Sequence, residues 1–338
     1  MSLDLLAYGA FFLTMALTYS IMCLGLNVQW GQTGLFNVGV AGFVGIGAYV
    51  SALLTTPDAV DRLGGFGMPI VLGWLGAMLA GGLASFLIGA LTIRLRADYL
   101  AIATFGVAVA AQLCMLNLQS ITGGPFGIGF IPRPFGDRAG DTLTFSLLNL
   151  GVVAVVVLGL YLALERLVRS PWGRVLRAIR EDETAALALG KSALSFRLQA
   201  FTIGGAIMAL AGAVQGHFIG FIAPENYQPM LTFQVWAMLI VGGSGNNRGA
   251  ILGAILVWGI WAGSAGVVSA LFPPDQQARA AALQIVMIGV GLCAILLIRP
   301  RGIIGELRTV SRHLGGPARE PATTPIVPED EPDHARHR

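Results

Sequence analysis

Long apolar runs separated by short polar or glycine-rich breaks dominate this chain. A membrane-spanning helix needs about 20 predominantly apolar residues. By that measure the candidates are Leu5–Val28, Leu35–Thr55, Pro69–Ile93, Tyr99–Leu118, Leu143–Leu164, Phe196–Ile219, Leu231–Gly242, Ala250–Leu271 and Ala281–Ile298. The seventh is too short for an ordinary crossing and reads as a broken or tilted segment. Between the fifth and sixth runs the pattern changes. Trp172, Val175, Leu176 and Ile179 repeat at helical spacing, while Arg174, Arg177 and Arg180 take the opposite face. Ser170 suits an N-cap, Pro171 the first helical position and Gly190 a C-terminal stop. A soluble amphipathic helix, here called the island, is therefore expected among membrane spans.

Composition turns this pattern into a class. Hydrophobic residues make up 55% of the 338 and charged residues only 12%, with a mean hydropathy of +0.73. A soluble domain carries roughly a quarter charged residues. The expected fold is all-α: a polytopic transmembrane helical bundle of about nine spans, with eight to ten as the range. The 46 glycines fit close helix packing in lipid. The N-terminus lacks a basic n-region and a small-residue cleavage site, so its first run reads as a retained span.

The net charge of +3 is modest, and its distribution argues for topology control over nucleic-acid binding. If the spans alternate, one side carries Arg94 and Arg96, then Arg166, Arg169, Arg174, Arg177, Arg180, Lys191 and Arg197, then Arg248, Arg299 and Arg301. The other keeps Arg62, Arg133, Arg138 and Arg279. By the positive-inside rule the first side is cytoplasmic, the N-terminus lies outside and the C-terminus inside. The domain reading is a transmembrane domain over residues 1–304, with the cytoplasmic segment at 165–197. Residues 305–338 form a tail, Pro- and charge-rich from His313 on, that reads as disordered. No internal repeat is evident by eye.

Polar and ionisable positions within spans bear on function. Gln32, Thr33 and Asn37, with Gly39 and Gly42, interrupt the first two runs. They read either as part of a translocation path or as a turn followed by a helix with a tightly packed glycine face. Outside, the Ile121–Gly129 loop, centred on Thr122, Gly123 and Gly124, is either a gate or docking loop or a plain turn. His217 at the end of the sixth span and Glu225 beyond it read as cap or interfacial residues of that outer surface. The Val241–Gly249 loop lacks the GxxxxGK[ST] pattern and reads as a turn, followed by the small-residue packing pair Gly249 and Gly253; Gly212 and Gly216 form a second pair. Cys23, Cys114 and Cys293 give no disulfide framework. There is no carboxylate chain, metal cluster, cofactor motif or catalytic triad, so an enzyme is not expected. The island has two candidate surfaces to touch, anionic lipid or a cytoplasmic partner; repulsion of Glu181, Asp182 and Glu183 by an anionic membrane favours the partner.

At these residues the chain resembles the permease subunits of branched-chain amino acid ABC importers, the LivM/LivH type. The family's segment GRxxRAIREDExAAxxxG is matched by Gly173-Arg174, by Arg177 to Glu183 (Glu181 and Asp182 among them), by Ala185 and Ala186, and by Gly190. Further matches are Ala211 to Ala213, His217, Pro224 and Glu225, Gly45 to Tyr49, Leu95 to Ile102, and Thr122 to Pro125; the Leu95 and Thr122 matches point to the LivM-like partner. The resemblance implies a coupling helix moved by separate ATPase subunits, a second permease subunit, an extracytoplasmic solute-binding protein and residence in a bacterial inner membrane. The implied function is uptake of small solutes, most of all branched-chain amino acids. Departures are Thr184 where the importer loop has Glu, and Val109 and Gln112 where the family often carries Glu and Arg. Related permeases carry urea, short amides or aromatic acids, and an ion-coupled secondary carrier is the alternative from another class.

Overall fold

Apolar sequence in long uninterrupted runs satisfies its backbone only within itself, which selects helices. The computed structural model describes residues 2–58, 63–136 and 141–271, then 276, 279, 282, 283, 286, 289, 290, 293, 297 and 302–305. Most of the ninth expected span, Arg62, Arg138, Arg299, Arg301 and the tail from His313 lie outside the described residues.

The helices are α1 (Ser2–Leu26), α2 (Val40–Thr55), α3 (Ile70–Thr92), α4 (Ala97–Asn117), the short α5 (Gln119–Thr122), α6 (Thr142–Arg169), α7 (Pro171–Glu181), α8 (Glu183–Ala188), α9 (Ala193–Ile219), α10 (Pro229–Gly242) and α11 (Asn247–Leu271). A π-turn, Asn27–Gly31, continues α1. Among the described residues the only β pairing is an isolated antiparallel bridge between Ile128 and Ile222. Among the described residues, five segments are long and apolar enough to cross a membrane: Leu5–Gly31, α3, α4, α6 and α9. With 16 and 14 residues, α2 and α10 reach only about 24 and 21 Å at 1.5 Å per residue, short of the ~30 Å hydrocarbon layer.

Two elements differ from the sequence reading. The second apolar run becomes helical only at Val40, not Leu35. Gly34 turns with φ +72°, and Asn37 accepts the Gly39 N–H at 2.7 Å, a local alternative to helix. The island is two helices, not one. Asp182, at φ −149° and ψ 101°, ends α7, and its carboxylate accepts the Ala185 N–H at 3.0 Å to cap α8. Ser170 makes no side-chain cap; its hydroxyl donates back to the Leu167 carbonyl at 2.6 Å. Gly190 (φ +75°) does stop α8, with the Lys191 N–H on the Ala186 carbonyl.

The packing divides into two halves of reversed sense. In one, α9 packs on α2 and α3, and α2 packs on α3. In the other, α1 packs on α10 and α11, and α10 packs on α11. The helices α1 and α9 cross each other antiparallel: Gln29 reaches the Phe201 carbonyl at one end, and Phe11 meets Phe218 at the other. Along the chain, α1 and α9 are each followed by a break and then a short helix, α2 and α10, and each short helix packs in the half of the other long helix. Glycine lets these helices touch by their backbones. A methyl on Gly47 would overlap the Ala209 carbonyl, and one on Gly212 the Val44 carbonyl. Gly249 and Gly253 face α10 in the same way. The helices α3, α4 and α6 instead turn large apolar faces outward.

The loops sort into two ends. One end gathers the end of α1, α7 and α8, the α3–α4 loop and the α10–α11 turn. Residues 302–305 also return there, where Ile303 and Ile304 donate to the Val241 and Gly242 carbonyls. The opposite end joins the α4–α6 loop to the α9–α10 loop through Ile128 and Ile222, and Leu63 to Ser120.

Candidate functional site

The segment from Asn27 to Gly39 is where the fold departs most from a plain bundle. Its polar side chains are buried and bonded to helices far away in sequence. Asn27 donates to Asn247 Oδ1 at 2.9 Å and accepts the Gly245 N–H at 2.8 Å. Gln29 donates to the Phe201 carbonyl at 2.8 Å and accepts from Asn37 Nδ2 at 2.6 Å. Gln32 donates to the Gly245 carbonyl at 3.1 Å, and the Thr33 hydroxyl donates to the Gln29 carbonyl. The Trp236 indole donates to the Asn37 carbonyl at 2.9 Å, and Trp30, Phe36 and Trp236 pack edge-on around the turn.

This network fixes the start of α2 in the bundle's interior. Val38 N–H donates to the Thr104 hydroxyl of α4 and Ala41 N–H to the Thr232 hydroxyl of α10, both at 3.0 Å. Val38 lies just before α2 and Ala41 in its first turn, where the N–H has no intrahelical partner. The expected path residues Gln32, Thr33, Asn37, Gly39 and Gly42 thus sit together. The three polar ones spend bonds on the protein, and the two glycines lie against Thr104 and Ala108 of α4. One acceptor stays open: Gln32 Oε1 is buried without a partner. Gln112 stands apart on α4, 3.5 Å from the Pro224 carbonyl, and Val109 is half-buried on the same helix. Sequence reasoning missed Asn27, Gln29, Thr104, Thr232, Trp236 and Asn247. Their polarity inside apolar runs was the available signal. Asn37→Ala is expected to lower stability by about 3 kcal/mol, because it strands the Gln29 side-chain oxygen Oε1 and the Gly39 N–H. A thermal melt of the purified chain in detergent checks this; an unchanged melting point would show that the Asn37 bonds carry no weight.

The island rests on the bundle through its apolar stripe. Leu176 and Ile179 are buried, Gly173 packs on the Val168 backbone, and the Trp172 indole donates to Gln199 at 2.8 Å. Arg174, Glu181, Asp182, Glu183 and Ala185 are exposed, and Ala186 is buried. Glu183 pairs with Arg197 of α9 at 2.9 Å. Arg180 Nη1 donates to the Gly31 carbonyl, and its stem lies beside Gly34. The island is therefore bonded to the segment from Asn27 to Gly39, here called the crossing segment. Arg177 lies half-buried on the same helix.

At the other end Thr122, Gly123 and Gly124 form a tight turn. The Thr122 hydroxyl lies 2.6 Å from the Met115 carbonyl and accepts the Gly124 N–H at 3.2 Å. His217 is buried. Its Nδ1 is 2.8 Å from the Pro132 carbonyl, which can only accept, so Nδ1 carries a proton; Nε2 meets the Ser51 hydroxyl at 2.9 Å. His217 thus ties α2 and α9 to the outer loop, while Glu225 is exposed. Among the described residues no group of three His, Cys, Asp or Glu side chains could hold a metal ion.

The family model for the permease component of branched-chain amino acid transport systems matches residues 9–296. The chain is 36% identical over 329 residues to the high-affinity branched-chain amino acid transport system permease protein LivM of Escherichia coli K12, covering 90% of this chain and 72% of that protein. It is 29% identical over 272 residues to the probable branched-chain amino acid transport permease protein LivM of Methanocaldococcus jannaschii, covering 70% and 75%. It is 23% identical over 299 residues to the high-affinity branched-chain amino acid transport system permease protein LivH of Escherichia coli K12, covering 87% and 93%. No solved structure matches.

Proposed function

The chain belongs to the permease component family of branched-chain amino acid transport systems, and from that premise we propose that it is the membrane subunit of an ATP-driven importer of branched-chain amino acids. ATP is hydrolysed by separate subunits, and a LivH-like second permease and an extracytoplasmic binding protein complete the machine. It resides in the bacterial inner membrane with about nine spans over residues 1–304, and residues 305–338 form a cytoplasmic tail. The collection of Arg94, Arg96, Arg174, Arg180 and Arg248 at the island end supports placing that end in the cytoplasm and the N-terminus outside.

The single observation that carries the mechanism is the hydrogen bond from Arg180 to Gly31. Residues 174–190 receive the stroke of the ATPase. Arg180 passes it to the crossing segment, whose Asn37 carbonyl meets Trp236 midway along α10, beside the Ala41–Thr232 bond that joins the first turns of α2 and α10. Moving those two short helices opens one side of the bundle and closes the other. Gln32, Thr33, Asn37, Gly39, Gly42 and Gln112 shape the path, and Thr122, Gly123, Gly124, His217 and Glu225 shape the outer mouth. The test is uptake of labelled leucine into liposomes. The complete complex is expected to transport only with ATP and with its ATPase subunits present. Uptake by this chain alone, driven by an ion gradient, would establish a secondary carrier instead.

A further inference from the structure

A basic cavity of about 500 Å³ opens at the island end, away from the crossing segment. Its walls are the α3–α4 loop and the junction of α8 with α9. Arg94, Arg96 and Arg197 line it with Glu183, Leu95 and Leu194. Three guanidiniums face one carboxylate, so the cavity keeps an excess of two positive charges. Glu183 takes Arg197 Nη1, while Arg197 Nε is buried with no partner. Arg94 and Arg96 are exposed and make no hydrogen bond or ion pair among the described residues. Charges held this way call for an anion, and an open guanidinium edge suits phosphate oxygens.

We propose that this cavity holds the phosphate of an anionic phospholipid from the leaflet at the island end. The surroundings select a lipid over a soluble phosphate. Leu91, Leu95, Tyr99 and Leu194, all well exposed, surround the arginines where α3 ends and α4 and α9 begin. A free anion would use the arginines and leave this apolar skirt in water, whereas a phospholipid covers both, its headgroup on the arginines and its acyl chains along the helices. Tyr99 has the amphipathic character found where a helix leaves the hydrocarbon layer. The occupant shares Arg197 with Glu183, the first residue of α8. The headgroup therefore competes for the ion that anchors the coupling segment, and leaflet charge sets how firmly α8 is held.

The test is native mass spectrometry of the full chain in neutral detergent, titrated with phosphatidylglycerol and with phosphatidylcholine of identical acyl chains. Phosphatidylglycerol is expected to bind more tightly. Arg94→Gln combined with Arg96→Gln should weaken it about fivefold for each arginine removed, the weight of one basic residue at an anionic surface, and leave phosphatidylcholine unchanged. Both arginines are exposed, so the melting point should hold, and Arg133→Gln at the opposite end should alter neither lipid. Equal binding of the two lipids, or an unaltered preference in the double variant, would overturn the proposal. Displacement of phosphatidylglycerol by glycerol phosphate alone would make the cavity a soluble-anion site. Loss of the preference on assembly with the ATPase subunits would give the cavity to a protein partner.

Discussion

Arg180→Glu is expected to leave ATP hydrolysis by the assembled transporter running while uptake falls about a hundredfold. The two sides of α7 are held differently. Leu176 and Ile179 are buried and unaffected by the change, so the helix stays docked and its exposed face, proposed to meet the ATPase, is kept. What is lost is the donation from the guanidinium to the Gly31 carbonyl. A hydrogen bond to a charged group contributes about 1.5–3 kcal/mol, and a carboxylate facing that carbonyl adds repulsion. About 3 kcal/mol removed from the moving state corresponds to roughly two decades in rate. Arg180→Gln keeps a donor and should retain part of the uptake. Arg177→Glu should act differently, lowering hydrolysis and uptake together, because Arg177 shows no bond to the crossing segment. Measuring leucine taken up per ATP hydrolysed separates the cases. An unchanged ratio in Arg180→Glu would remove Arg180 from the coupling route.

Gly47→Val is expected to prevent recovery of folded protein. The backbones of α2 and α9 touch: any Cβ on Gly47 falls on the Ala209 carbonyl, and any Cβ on Gly212 on the Val44 carbonyl. Neither obstacle is the tip of a flexible side chain, so the helices themselves must part. Overpacking a core costs about 1–3 kcal/mol where neighbours can yield. Here two backbones and the His217 tie between the same helices are strained together, and the cost exceeds that range. Gly159→Ala on α6 is the contrasting case. Nothing lies within 4 Å of its added methyl, so only the helix-propensity gain of about 1 kcal/mol applies. Size-exclusion profiles and thermal melts of the two variants check both directions. A normal profile for Gly47→Val would mean that the α2–α9 approach is looser than described.

Hydropathy marks the helices well because burial in lipid leaves one option for the backbone. It even marks Leu231–Gly242 as too short, and α10 has 14 residues. It fails at Leu35–Val40 because those residues are apolar enough for a helix, yet Asn37 bonds to Gln29, Gly39 and Trp236. The last of these lies 199 positions away. The path residues were visible as polar breaks, but not their partners: Gly245 and Phe201 offer only backbone groups, which carry no side-chain signature. The split of the island at Asp182 was locally legible, since an aspartate three residues before Ala185 is a good N-cap. The apolar stripe masked it by running through Ile179 in helical register. The two halves escaped inspection because their likeness lies in which helices meet, not in which residues recur.

That likeness has a consequence for the working cycle. Halves that run in opposite directions are not bound to one posture each: the posture held by α9, α2 and α3 is open to α1, α10 and α11, and the reverse. Exchanging the two postures turns the assembly upside down with respect to the membrane without a new fold. A single sequence could in this way encode both ends of a back-and-forth motion. On the proposed reading, an ATPase would have only to tip the balance between two arrangements in which the halves exchange roles, with the amino acid crossing on whichever side is uncovered.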